Sequence, residues 1–173
     1  MKSLIIKKVS LKDIADLQKI SRKTFFETYA VGNTEEDMLR YLNQEFTSEK
    51  LIAELNDPNS EFYFAILEGE IIGYLKVNFG QSQTDIKDDK SLEIQRIYVL
   101  KEFQGKKIGE SLYQKAIEIA NQKKLDYLWL GVWEENPNAI QFYEKIGFKA
   151  FDKHTFKLGE DIQTDIMMKQ DLT

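Results

Sequence analysis

Residues 91–109, SLEIQRIYVLKEFQGKKIG, constrain this chain more than any other stretch. The first half carries Ile94, Ile97, Tyr98 and Val99, the β-branched and aromatic content that a buried or half-buried strand prefers. The strand gives way near Leu100 to a loop with Gly105 and Gly109 four apart and Lys106 and Lys107 between them. From Ile108 the apolar residues Leu112, Ala116, Ile119 and Ala120 fall on one helical face. A strand, a basic glycine loop and a helix start make an anion site, because the first helical turn has unpaired N–H groups and a partial positive charge. Residues 104–110 are therefore read as a pyrophosphate cradle. The spacing alone also suits a plain strand–helix turn with solvated lysines. It matches neither G-x-x-x-x-G-K-[ST] nor G-x-G-x-x-G.

A second stretch, NPNAIQFYEKIGF at 136–148, follows a short apolar run at 125–132 that reads as a buried parallel strand. Together, Gln104-Gly105-Lys106-Lys107-Ile108-Gly109 and the set Asn136, Ala139, Tyr143, Gly147 and Phe148 resemble the two signature segments of the Gcn5-related N-acetyltransferases, in the right order and at the right separation. More narrowly, SLEIQRIYV, WLGVWEENPNAIQFYEK and QTDIMMK look like the PaiA-type spermidine/spermine N-acetyltransferases. The family usually has glycine where this chain has Lys107. A helical backbone is expected at that position, since positive φ would cost a lysine roughly 1 kcal/mol.

The remaining elements fit a mixed α/β fold. A first strand lies near Leu4–Val9. Ser10 and Asp13 form a capping box ahead of a helix whose apolar face ends in Phe25, Phe26 and Tyr29. Helices capped at Asn33-Thr34 and Thr47-Ser48 follow, then strands at 61–67 and 71–79 around Gly69, and a polar loop at 80–90 expected to be mobile. Strands at 148–157 and 164–168 close the chain around Gly159. The resemblance implies a mostly antiparallel sheet of about seven strands, with a central parallel pair splayed in a V and helices on both faces. It spans residues 1–173 as one acetyltransferase domain.

The resemblance also assigns roles. Acetyl-CoA would lie in the V, its pantetheine arm adding to the main chain of Ile97, Tyr98 and Val99 as an extra strand. Gln104, Gly105, Lys106, Lys107, Ile108, Gly109 and Glu110 would hold the phosphates. Asn136 would bond the arm, cap its helix, or do both. Transfer to an amine needs a neutral nucleophile, and an amine of pKa about 10.4 is disfavoured by roughly 4.6 kcal/mol at pH 7. Glu93 is the candidate base, directly or through water, with a solvated strand-end glutamate as the bland alternative. Period two puts Glu93, Gln95, Ile97 and Val99 on one face. Tyr143 is the candidate acid for the departing sulfur, or else a packing tyrosine. His154, the only histidine, is expected to be structural.

With no cysteine, a thiol acyl-enzyme is excluded and direct transfer in a ternary complex is favoured. No His/Asp/Glu spacing suggests a metal. The net charge of −5 argues against a nucleic-acid partner. No apolar run suits a bilayer and no leader is evident, so a cytoplasmic location without membrane partners is expected. The acidic residues Glu27, Glu35, Glu36, Asp37, Glu160, Asp161 and Asp165, beside Phe25 and Tyr29, point to a polycationic small-molecule amine, unless they are ordinary solvated charges. A protein lysine or N-terminal amine is the alternative acceptor, and an acetyl-CoA-binding sensor the alternative class. A homodimer is compatible with the resemblance.

Overall fold

The computed structural model describes residues 3–172; Met1, Lys2 and Thr173, the ends of the expected domain, lie outside the described residues. Seven strands form one sheet in the order β1-β2-β3-β4-β5-β7-β6, where β1 is Leu4–Lys8, β2 Ser60–Leu67, β3 Glu70–Phe79, β4 Ser91–Val99, β5 Tyr127–Trp133, β6 Lys149–Leu158 and β7 Asp161–Asp171. Every neighbouring pair is antiparallel except β4 and β5. The helices are α1 (Ile14–Tyr29), α2 (Glu35–Glu45), α3 (Ser48–Asn56), α4 (Ile108–Gln122) and α5 (Pro137–Lys145).

Local chemistry sets these boundaries. Asp13 accepts the Ser10 N–H at 3.0 Å, and one short 3₁₀ turn then leads into α1. Thr34 and Thr47 accept from Asp37 and Lys50 to start α2 and α3. Strand β3 is buried on both faces from Ile72 to Phe79, Lys76 and Asn78 included, and it meets α1 on one side and α4 on the other. Gly73 is obligatory there, because a Cβ would stand 2.6 Å from the Tyr98 carbonyl oxygen of β4.

Two expectations change. The loop at 80–90 is anchored. Gln83 is buried; its amide donates to the carbonyls of Gly80 and Asp88, and its side-chain oxygen accepts from Ser91 Oγ and Trp129 Nε1. The even alternation along β4 also fails. Lys76 pairs with Arg96 but Val77 pairs with Ile94, so Gln95 is the extra residue of a β-bulge. Glu93 and Gln95 stay on one face, where both accept from Asn78, and Arg96 and Tyr98 join them. Ile97 and Val99 fall on the opposite face, contrary to simple period two.

Candidate active site

The parallel pairing of β4 with β5 covers only Ser91–Glu93 against Tyr127–Trp129. Beyond that point β5 stays with β7 as far as Trp133, and β4 stays with β3 as far as Val99. The two strands part, leaving the outer edge of β4 from Ile94 onward without a β5 partner. A cavity of about 660 Å³ fills the opening. Ile97, Tyr98, Val99, Gln104, Gly105, Lys107, Ile108, Gly109, Glu110, Asn136 and Tyr143 all line it.

Lys106 is the one expected cradle residue outside this lining; its ammonium lies 5.4 Å from the centre of the Phe103 ring. Lys107 corrects a second expectation. It adopts the left-handed conformation, φ 64° and ψ 19°, and its carbonyl accepts the Ser111 N–H as α4 begins. The position usually filled by glycine thus keeps a glycine-like backbone and carries strain of roughly 1 kcal/mol. Gln104 donates its amide to the Val99 carbonyl at 3.2 Å, tying the loop to the end of β4. Asn136 caps α5 by accepting from the Ala139 N–H.

These features fit coenzyme A. The free first-turn amides of α4, the Lys107 charge and the unpaired edge of β4 supply anion donors and strand-like hydrogen bonds. Gly109 leaves open space, since a Cβ there would meet only Phe142 at 3.9 Å. Tyr143 is buried against Phe142 and Phe148, and burial pushes its hydroxyl above the usual phenol range.

A second cavity, about 230 Å³, lies among α1, α2, the loop at 80–90, β4 and the β6–β7 hairpin. Glu93 belongs here rather than beside Tyr143. Its carboxylate accepts from Asn78 Nδ2 at 2.9 Å, the Thr84 N–H at 2.8 Å and Thr84 Oγ1 at 2.5 Å. The walls are aromatic: Phe25 stacks on Tyr29 and on Tyr41 at 4.4 and 4.6 Å between ring centres. Burial pushes the Tyr41 hydroxyl up to about 12. It lifts Tyr29 further, helped by the nearby Asp165 charge. Arg96 lines the cavity but is already neutralised, forking onto Glu54 of α3 at 2.8 and 3.1 Å. His154 sits on the rim, with Nδ1 3.3 Å from Asp85.

Tyr29, Gln95, Tyr98 and Gly131 line both cavities, so the two meet across the splayed sheet. Sequence reading did not find Arg96, Asn78 or Thr84. It counted Asp165 only as one acidic residue among several. Among the described residues no three His, Asp or Glu side chains converge as a metal site, and no helix is long and apolar enough to cross a membrane.

A seven-stranded sheet opened between its one parallel pair, with a basic helix start at the mouth, defines an acyl-CoA-dependent acetyltransferase. The model of the acetyltransferase (GNAT) family matches residues 15–148, and the chain belongs to that family as an N-acetyltransferase. It is 41% identical over 172 residues to an uncharacterized N-acetyltransferase of Lactobacillus delbrueckii subsp. lactis, covering 99% of each chain. It is 28% identical over 154 residues to the spermidine N(1)-acetyltransferase of Thermoplasma acidophilum, covering 87% of this chain and 91% of that one. The crystal structure of PaiA N-acetyltransferase from Thermoplasma acidophilum in complex with coenzyme A superposes with a TM-score of 0.80 at 25% identity, covering 98% of this chain and 99% of that one.

Proposed function

We propose that the whole chain is one domain that transfers the acetyl group of acetyl-CoA to a primary amine of a polyamine, spermidine or spermine, within a ternary complex. The observation that carries this reading is the meeting of two cavities at the splay. One is suited to a CoA arm. The other is walled by aromatic rings and by Glu45, Asp85, Glu93 and Asp165, while its guanidinium is occupied by Glu54. Aromatic faces and carboxylates favour a cationic alkyl-ammonium chain. The spermidine-acetylating relative adds support.

Acetyl-CoA supplies the activated thioester. Gly105, Lys107 and the first turn of α4 hold its phosphates, and the β4 edge holds its arm, with Asn136 at the other side of the opening. Tyr143 keeps its proton in the buried cavity and gives it to the sulfur as the carbon–sulfur bond opens. Glu93 keeps a narrower base role than the sequence suggested. Three of its roughly four acceptor positions are filled by Asn78 and Thr84, leaving one at Oε2 for a relay water.

The test is a turnover screen with acetyl-CoA against polyamines, aminoglycosides, amino acids and peptides. Spermidine or spermine should give the highest kcat/KM. Turnover confined to peptides would refute the polyamine reading and make the acceptor a protein amine.

A further inference from the structure

We propose that the Asp165 carboxylate receives the ammonium group of the acceptor and takes its first proton; this rests on the amine-acetyltransferase reading above. Asp165 lies on β7, opposite Trp133 of β5 and His154 of β6. It leans over Gly131, the only residue of the YLWLGVW strand without a side chain: a Cβ on Gly131 would stand 3.2 Å from Asp165 Oδ2. Gly131 lies just past the last β4–β5 pair and lines both cavities. The carboxylate therefore stands where the acceptor space opens toward the donor space.

Its hydrogen bonding sets it apart from the other acids of this cavity. Asp85 is paired with His154, Glu45 with Lys50 at 3.2 Å, and Glu93 with Asn78 and Thr84. Asp165 Oδ1 is buried and, among the described residues, has no hydrogen-bond donor. Buried carboxylate oxygens are normally satisfied, so an oxygen left open in a cavity wall calls for a donor brought by a ligand. A primary ammonium is such a donor and also carries the balancing charge.

The charged and titratable groups around it are Tyr29 of α1, Tyr41 and Glu45 of α2, Asp85 of the loop, Glu93, Arg96 and Tyr98 of β4, and His154 of β6. Burial lifts the Asp165 carboxyl to about 6, with His154 pulling it back. At pH 7 it is mostly ionised, yet it is a stronger base than an ordinary aspartate.

The proton balance closes without another reactant. The ammonium gives one proton to Asp165. The nitrogen lone pair forms the bond to the thioester carbon, and the carbon–sulfur bond breaks with its electron pair on sulfur. Tyr143 protonates that sulfur, and the second proton shed by nitrogen restores Tyr143. Asp165 returns its proton to solvent through the relay water at Glu93 Oε2, which lines the same cavity, so each turnover yields an amide, a free thiol and one proton.

The experiment compares wild type with Asp165→Asn, using spermidine and acetyl-CoA. The variant should lose about 10²–10⁴-fold in kcat/KM for spermidine at pH 7. It should also lose the wild-type bend near pH 6, its rate instead climbing steadily with pH as solvent supplies more neutral amine. CoA affinity by calorimetry should be unchanged. A pH profile that superimposes on wild type overturns the assignment of Asp165 and leaves the acetyltransferase reading standing. Wild-type enzyme that acetylates no amine overturns that reading and this inference with it. A second measurement needs no variant. With ¹³C-labelled aspartate and CoA present, saturating spermidine should lower the Asp165 pKa, because a bound ammonium favours the carboxylate. A pKa indifferent to spermidine overturns the proposal.

Discussion

Replacing Glu54 by glutamine should cost this protein about 3–5 kcal/mol, the range for removing one partner of a buried charge cluster. Glu54 pairs directly with two cations. It takes both guanidinium nitrogens of Arg96, and Lys76 Nζ at 3.0 Å. The Arg96 and Lys76 side chains are only 10% and 7% exposed, so solvent offers neither an alternative partner. Burial pushes the Glu54 carboxyl up, but Arg96 and then Lys76 outweigh it and hold it below the usual range. Burial and the like charge of Arg96 push Lys76 down to about 8, because one carboxylate is shared between two cations. Lys76→Met should therefore be much milder, since it removes the poorer-placed cation and leaves the Arg96–Glu54 fork intact. A group whose folded pKa is depressed stabilises above its unfolded value, about 4.3 for glutamate, and that share is lost as pH falls. The gap between wild type and Glu54→Gln should then be widest near neutrality and close below about pH 4. Urea unfolding is the assay, because guanidinium would screen the charges; in a thermal melt the loss corresponds to about 6–20 °C. A loss below about 1 kcal/mol at pH 7, the range of exposed ion pairs, would refute the argument that this cluster is desolvated.

Three further outcomes are expected. Tyr143→Phe keeps the ring packing and removes the hydroxyl, so kcat should fall about 10²–10⁴-fold with little change in CoA affinity; full kcat would mean that the sulfur needs no proton from Tyr143. Gly109→Glu should fold, since a Cβ meets only ordinary contact there, but the added charge at the helix start should weaken CoA binding at least tenfold by calorimetry, about 1.4 kcal/mol. Lys107→Val should lower stability by about 1–2 kcal/mol, because a β-branched residue tolerates positive φ worse than lysine, while Lys107→Gly should fall within about 1 kcal/mol of wild type in stability and bind CoA more weakly for want of the charge.

Most of the fold was legible because local signals agreed. The capping residues Ser10, Thr34 and Thr47, the Gly69 and Gly159 turns and the apolar period of α4 each marked their own element. What escaped depended on partners distant in sequence. The loop at 80–90 is polar and reads as mobile until Trp129, 46 residues beyond Gln83, is seen bonding to it. Lys107 hides a left-handed turn because lysine does not announce one; only the resemblance to a glycine-bearing family raised the question. The bulge did leave a trace. Leu92 and Ile94 are two apart, Ile94 and Ile97 three, and Ile97 and Val99 two again. That single odd interval is the phase shift that the pairing shows at Gln95. The open oxygen of Asp165 had no such trace, since a missing partner is a property of the assembled cavity.

The bulge also explains why one strand serves two cavities. Without the extra residue, period two would turn Arg96 and Tyr98 to the face of Ile94 and Leu75, against the apolar side of α4 and away from Glu54. A guanidinium buried there would lack its carboxylate, a loss of several kcal/mol that no packing gain would offset. With Gln95 inserted, Arg96 reaches Glu54, Tyr98 enters the aromatic wall of the smaller cavity, and Ile97 and Val99 keep to the other face, where the β4 edge borders the larger one. The same irregularity leaves Gln95 lining both cavities, beside the last residues that β4 and β5 share. On the proposed function, nucleophile and thioester would approach from opposite faces of the sheet and meet at its split. Such an arrangement suits direct transfer, and the lack of any cysteine in the chain rules out a thiol carrier for the acetyl group.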